Sequence, residues 1–247
     1  MANNELSGPV VVTYLVKWLQ ALQSRKYTYR IIFIPETIGS ITYLSKNIKQ
    51  MQEKVIAGFN VSCVGDNRSY SFLPSRNGKT LSDKVAKHIL KWIDPNYVNY
   101  SWSERGSDER QYCAPGIDLP IASIMRTKYG KYPEYHTSLD DLKNVVTPDG
   151  LEGGYEALRR SIEAIENICY PRVTVLGEPQ LGKRGLYRTI SAKKNYSESR
   201  LLMELITWSD GNHSLLEIAE KCNAPIWELY PLIKELQTHN LIAIEDE

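Results

Sequence analysis

The sequence predicts an α/β protein with a mostly parallel sheet, followed by a small unit of three helices and a strand. Short β-branched and aromatic runs, Tyr29–Ile34 and Ala57–Val64, alternate with helix-length amphipathic segments. The connections between them are short, which in an open sheet implies right-handed crossovers and parallel neighbours. Beyond residue 196 the pattern changes to three closely spaced helical segments and a terminal apolar run.

Each element has its own local reason. Residues 8–24 place Val12, Leu15, Val16, Leu19 and Leu22 at helical spacing, the pattern of a buried amphipathic helix. Tyr29-Arg30-Ile31-Ile32-Phe33-Ile34 is halted by Pro35 and reads as a central parallel strand. A helix follows through Ile41, Leu44 and Ile48. Ala57–Val64 reads as a second buried strand that ends at Gly65-Asp66. Residues 79–92 form another helix through Leu81, Val85, Ile89, Leu90 and Trp92. Asn96–Trp102 and Gly116–Met125 are expected as strands, and residues 152–169 as the helix that closes the domain.

These elements assign residues 1–170 to one α/β domain. Residues 171–196, rich in Gly, Pro, Lys and Arg, are expected as a connector, and 197–247 as a second domain. In that domain Ser199–Trp208, Ser214–Cys222 and Ile226–Thr238 are helix-length, and Leu241–Ile244 is a terminal strand. The turn Ser209-Asp210-Gly211 and the capping box Ser214-Leu215-Leu216-Glu217 mark helix boundaries. The pattern is that of a winged helix.

Composition narrows the function classes. A formal net charge of +1 over 247 residues argues against partners held by bulk charge, such as non-specific DNA or an anionic membrane surface. Cys63, Cys113, Cys169 and Cys222 are scattered without a CxxC pair, so buried reduced thiols are expected. No basic-then-apolar leader and no membrane-length apolar run occurs, so no membrane association and a cytoplasmic location are expected. There is no GxSxG, and Gly177–Gly185 lacks the spacing of a phosphate loop. In the candidate recognition helix Ile226–Leu236, one Lys stands against two Glu, with Pro231 inside. Nucleic acid is therefore not an expected partner, because phosphate neutralisation needs several Lys or Arg. His88 and His213 are expected at the surface, and Tyr97, Tyr100 and Trp102 in the core or a cleft wall.

Three segments place a metal-suitable or acid–base side chain near a strand end: Ile34-Pro35-Glu36-Thr37-Ile38-Gly39, Cys63-Val64-Gly65-Asp66 and Glu134-Tyr135-His136-Thr137-Ser138-Leu139-Asp140. Open α/β sheets build their sites beyond such ends. Carboxylates and a neutral imidazole suit Zn²⁺ when one position must stay open to water. Singly, each residue has an ordinary structural explanation.

In order, they resemble the co-catalytic zinc aminopeptidases and their glutaminyl-cyclase relatives. Glu36-Thr37-Ile38-Gly39 is similar to the acidic-pair segment, Gly65-Asp66 to the second-strand Asp, and His136-Thr137-Ser138-Leu139-Asp140 to the final ligand motif. Gly106-Ser107-Asp108 and Gly116-Ile117-Asp118-Leu119-Pro120 resemble the loop between them. A tighter resemblance is to a bacterial aminopeptidase-like family of largely unassigned function with a C-terminal winged helix. It rests on Phe33–Ser40, Gly106–Gly116 and Gly177–Gly185 and spans essentially the whole chain.

The resemblance implies a zinc-peptidase-like three-layer α/β/α sandwich lacking its first strands. It also implies a metal-dependent aminopeptidase-like hydrolase of a small peptide or aminoacyl amide, with one or two zinc ions. Glu36 falls on the general base or a neighbouring ligand, and Asp66 and His136 on metal ligands. Asp108 falls on a carboxylate that organises the site. Tyr112 and Arg110 become candidates to meet substrate or a developing oxyanion, and Lys183 and Arg184 to edge the cleft.

The sequence departs from the family at two places that bear on activity. The first ligand His lies, in the family, ahead of the Asn-Leu-Ser-Gly segment, where this sequence begins. Asn4 stands where the metal-bridging Asp belongs, with Glu5 beside it, and an amide cannot bridge as a carboxylate does. Thr37 occupies the second acidic place. A different start, a complementary protein chain, homo-oligomerisation and a non-catalytic relative acting as an interaction subunit all remain open.

Overall fold

The computed structural model describes residues 1–186 and 193–245, with no side-chain placement for 193–198 and 245. It divides into two compact units, Met1–Ile162 and Glu163–Glu247, the division falling near the end of one long helix.

In the first unit a short π-helical turn, Ala2–Leu6, leads into α1 (Ser7–Ala21), and α2 spans Ile38–Lys54. The strands are β1 (Gly58–Asn60), β2 (Ser71–Leu73), β3 (Val98–Asn99) and β4 (Ile121–Met125). Helices α3 (Leu81–Ile93), α4 (Glu109–Tyr112) and α5 (Pro148–Glu166) complete the unit. The sheet order is β1-β4-β2-β3. Gly58 pairs with Ile121 and Ser71 with Val98 in parallel, whereas Phe72 pairs with Ile124 antiparallel. The sheet is thus mostly parallel.

Strand alternation divides the core between two faces. Ala122 and Ile124 of β4, with Phe72 of β2, pack against Val11 and Leu15 of α1, Ala86 and Leu90 of α3 and Ala157 and Leu158 of α5. Ile121, on the opposite face, meets Leu44 and Met51 of α2 with Tyr112 and Leu119. Met125 and Leu73 meet Tyr129, Tyr132 and Val145. Each fully buried large side chain contributes about 1.5–3 kcal/mol by leaving water, so these rows fix the layers. All five β4 residues are buried, which explains an apolar run without alternation. Helix α3 starts at a capping box in which Thr80 and Asp83 satisfy each other's backbone N–H groups.

Three sequence expectations change. Tyr29–Ile34 joins no strand, with Ile31 40% and Phe33 58% exposed. β2 was not foreseen. Its three residues are too few for a period to show, and its place is decided by pairing with β4, far along the chain. His88, expected at the surface, is 1% exposed on the inner side of α3. Helix α1 buries Val11, Leu15 and Leu19, with Val12 and Val16 half-buried. Tyr97, Tyr100 and Trp102 pack against three different core clusters, as wall residues do.

In the second unit β5 (Tyr170–Val173), which runs from the last residue of the expected first domain into the expected connector, pairs antiparallel with β6 (Ile242–Glu245). Helices α6 (Lys193–Trp208), α7 (Leu215–Cys222) and α8 (Ile226–Thr238) lie between them in sequence. The Ser214–Glu217 capping box opens α7 as expected. Helix α8 buries Ile226, Leu229, Leu232, Ile233 and Leu236 despite Pro231. Part of the expected connector, residues 187–192, lies outside the described residues.

Candidate active site

Just past the Tyr29–Ile34 segment, Glu36, Thr37 and Ile38 form a γ-turn in which the Ile38 N–H donates to the Glu36 carbonyl at 2.7 Å. Thr37 at its centre has φ 62° and ψ −70°, the rarer and strained hand of that turn. A β-branched residue there costs of order 1–3 kcal/mol unless neighbours hold it. Two neighbours do. The Thr37 N–H donates to Asp108 Oδ1 at 2.8 Å, and Arg110 Nη2 donates to Thr37 Oγ1 at 2.7 Å. Ile38 then begins α2, so the turn sets where Glu36 sits relative to the helix.

Glu36 is surrounded by charge. Partial desolvation raises its carboxyl pKa above the usual range, and the Asp108 carboxylate raises it further. Arg110 opposes this, Glu5 adds to it, and a hydrogen bond with Ser107 lowers it. Tyr135, raised mainly by burial, also feels the charges of Glu36 and Glu5. The His136 ring stacks on Tyr135 with centroids 3.9 Å apart. One locality therefore gathers Glu5, Glu36, Ser107, Asp108, Arg110 and Tyr135, with His136 carried on the last.

The Ser107-Asp108 loop is itself built on a buried carboxylate. Glu109, 0% exposed, accepts from Gly106 N–H at 2.8 Å, Ser107 N–H at 3.0 Å, Tyr129 Oη at 2.7 Å and Asn60 Nδ2 at 3.0 Å. Glu109 was missed from the sequence because a Glu in the polar run Ser103–Tyr112 reads as solvated. The Tyr129 phenol is pushed well above its ordinary range by burial and Glu109. Tyr112 is 9% exposed and packs with Leu44, Met51 and Leu119, while Arg110 is exposed.

Asp66 is engaged differently. It is 1% exposed. Oδ1 accepts from Arg68 N–H and Thr127 Oγ1, and Oδ2 from Thr127 N–H and Asn3 Nδ2, at 2.6–3.1 Å. Asn3 in turn accepts from Gly65 N–H at 2.8 Å. Asp140 accepts the backbone N–H groups of Asn3 and Asn4 at 2.7 and 3.1 Å, with Tyr132 Oη at 3.1 Å. Both carboxylates thus clamp the π-helical turn. Arg68 ties the two loops together through a bidentate pair with Glu134 at 2.8 and 2.9 Å.

Positive φ at residues other than Gly falls on Thr37, Cys63, Asp118 and His136 in this unit, and the other two, Asn223 and Asn240, follow helix ends. Thr37, Cys63 and His136 belong one each to the three segments singled out above. Strain of this kind concentrates at functional sites. Lys183 and Arg184 belong to the second unit, on an exposed turn where Arg184 Nη1 donates to the Gln180 carbonyl at 3.3 Å.

Among the described residues no three His, Cys, Asp or Glu side chains gather so as to hold a metal ion. The donor sets agree, since every Asp66 oxygen already takes two hydrogen bonds. No described helix is long and apolar enough to cross a membrane.

Comparison with known proteins places this geometry in a family context. A Clostridium acetobutylicum protein, provisionally named for polysaccharide biosynthesis with an aminopeptidase-like domain, is 40% identical over 223 residues, which is 90% of this chain and 50% of that one. A crystal structure of a provisionally assigned peptidase from the same organism superposes with a TM-score of 0.88 at 34% identity, covering 99% of this chain and 55% of that one. The aminopeptidase of Aneurinibacillus sp. strain AM-1 shares the fold at TM-score 0.50 and 16% identity, over 67% of this chain and 39% of that one. The chain spans about half the length of the Clostridium relatives. Residues 169–244 match the winged helix-turn-helix family. Residues 1–168 match the domain of unknown function DUF4910, and the chain belongs to that family, with an aminopeptidase-like fold joined to a winged helix.

Proposed function

We propose that the first unit is a peptidase-like hydrolase of a peptide or aminoacyl amide, with Glu36 taking the proton from the attacking water. The strained turn at Thr37 carries this reading. The threonine at φ 62° is held by both Asp108 and Arg110, which fixes the Glu36 backbone beside it. A carboxyl whose pKa is raised is better matched to accepting a proton near neutral pH. Arg110, exposed beside it, is placed to meet negative charge developing on a carbonyl oxygen. The name of the Clostridium relative adds amide-bearing sugars to the substrates worth screening.

Zinc does not fit the residues as arranged. Glu36, Asp66 and His136 bring no third converging donor, and no step is assigned to a metal. Zinc at one or two sites belongs to this proposal only with donors from outside the chain.

A second reading, a non-catalytic interaction subunit, is favoured by one observation. Asp66 and Asp140 spend their oxygens on Asn3, Asn4, Arg68 and Thr127 rather than facing a ligand. One experiment separates the two. The protein, purified without chelators, is assayed against aminoacyl amides with and without added zinc, alongside Glu36→Gln. Turnover that Glu36→Gln abolishes supports the hydrolase, whereas equal background rates in both proteins support the subunit.

A further inference from the structure

Just past β4 the chain turns at Lys128–Lys131, closed by the Lys131 N–H on the Lys128 carbonyl at 3.0 Å, with Gly130 at φ 70°. Lys128 lies inside, only 5% exposed. A lysine this buried is rare without a carboxylate beside it. Among the described residues no carboxylate lies within ion-pair distance of this one. Its Nζ donates to the Tyr129 carbonyl at 3.4 Å and stands 3.8 Å from the centre of the Tyr129 ring and 5.4 Å from that of Tyr100. Burial, and then the charge of Lys131, lower the pKa of this amine, while the charges of Glu104 and Glu109 favour its protonated form.

Glu109 is the complementary case. It is fully buried, and its donors, the N–H groups of Gly106 and Ser107, the Tyr129 hydroxyl and the Asn60 amide, are all uncharged. A buried carboxylate is costly without a countercharge even when it is hydrogen-bonded. The two charges meet on one ring. The Lys128 ammonium sits over the face of Tyr129, and Glu109 accepts from the hydroxyl of the same residue at 2.7 Å. A cation over the face draws density from the ring and makes the O–H a better donor. The carboxylate acts the other way and makes the face more negative, so each charge strengthens the other's contact. Glu104 is the weaker candidate for this role, because it is exposed, screened by solvent and 3.7 Å from Lys131 Nζ.

We propose that Lys128 is a positioning residue for the candidate site, its ammonium acting through Tyr129 and Glu109 to fix the Ser107-Asp108 loop beside Glu36. The route is short. Glu109 holds the loop by the N–H groups of Gly106 and Ser107, and the loop packs on the ring so closely that a Cβ at Gly106 would stand 2.8 Å from Tyr129 Cε2. Asp108 in turn accepts the Thr37 N–H at 2.8 Å, and Ser107 hydrogen-bonds Glu36. Removing the ammonium leaves Glu109 a buried charge with no cation near it, and its hold on the loop weakens. The effect on turnover rests on the hydrolase reading, whereas the coupling of Lys128 to the loop does not.

Amide hydrogen exchange of the full chain at Gly106 and Ser107, resolved by NMR, is the test, with Ala157 and Leu158 of α5 reporting an intact fold. Lys128→Met keeps the stem and removes the charge. Exchange at both loop amides is expected to quicken about tenfold while α5 is unchanged. Lys128→Arg restores the charge and is expected to return the loop to within about threefold of the wild type. In a Glu109→Gln background, Lys128→Met is expected to change loop exchange by less than about twofold, because no buried carboxylate is left to answer it. Loop exchange that Lys128→Met leaves unchanged overturns the proposal. So does an equal effect in both backgrounds, since packing rather than charge would then be responsible. Should Lys128→Met loosen α5 as well, Tyr129→Phe decides, because it keeps the ring and the ammonium and cuts only the hydroxyl link; faster loop exchange supports the coupling and unchanged exchange overturns it. Where aminoacyl amides are turned over, kcat is expected to fall in Lys128→Met and recover in Lys128→Arg, with KM little altered. Turnover absent from every variant, with loop exchange shifting as expected, counts against the hydrolase reading alone.

Discussion

Asp108 Oδ1 accepts the Thr37 N–H at 2.8 Å, across 71 positions of sequence, and so holds a threonine at φ 62° beside the candidate base Glu36. Relieving that strain exposes its purpose. Thr37→Gly removes the steric cost, of order 1–3 kcal/mol, against the ~0.5–1 kcal/mol entropic cost of glycine. Because the hydroxyl bond from Arg110 is lost as well, the comparison is with Thr37→Ala, against which Thr37→Gly is expected to gain about 1 kcal/mol in urea unfolding, with amide hydrolysis reduced in both. Equal stability of the two variants would show that the turn carries no strain.

Charge around Glu36 makes a second prediction. Desolvation and Asp108 raise its pKa in the folded state, so the folded protein holds this proton more tightly than the unfolded chain. Stability is then lost as pH rises from the unfolded value, about 4.3, through the folded one. Glu36→Gln is expected to be more stable than the wild type at pH 7, with the difference closing as pH falls below about 4. Thermal melts across that range check the sign.

Asp108→Asn keeps an acceptor near Thr37 but removes the charge that raises Glu36. The acidic limb of any pH–rate profile should move to lower pH, with a smaller change in stability than in Asp108→Ala. An unmoved limb would exclude Glu36 as the titrating group.

Glu109 supports this loop from within. Glu109→Leu strands the N–H groups of Gly106 and Ser107, the Tyr129 hydroxyl and the Asn60 amide. Leaving such groups unpaired costs about 1–3 kcal/mol for each one that is buried, which denaturant titration would read directly.

Cys63 is fully buried and its thiol is pushed up to about 12, chiefly by desolvation; Cys113, 1% exposed, is raised for the same reason. At pH 8 a thiol reagent is expected to modify at most Cys169 and Cys222 quickly in the native protein, and all four after unfolding. Rapid native labelling of Cys63, located by mass spectrometry, would contradict this burial.

What the sequence determined by itself was local. The 3.6-residue rows of α1, α3 and α8, the Ser214–Glu217 box and the motif order from Glu36 to His136 are all properties of neighbours along the chain. The tertiary structure decided everything that depends on a distant partner. Phe72 became a central strand residue only by pairing with Ile124, and Ile31–Ile34, strand-like in composition, joined no strand because β-structure is a pairing state and no described residue pairs with it. Asp66 and Asp140 have a ligand's chemistry, yet Asn3 and Thr127, 63 and 61 positions from Asp66, take up its oxygens. Propensity and periodicity act over a few residues, whereas strand pairing and the sharing of a carboxylate's lone pairs are settled by whatever the fold brings within 3 Å.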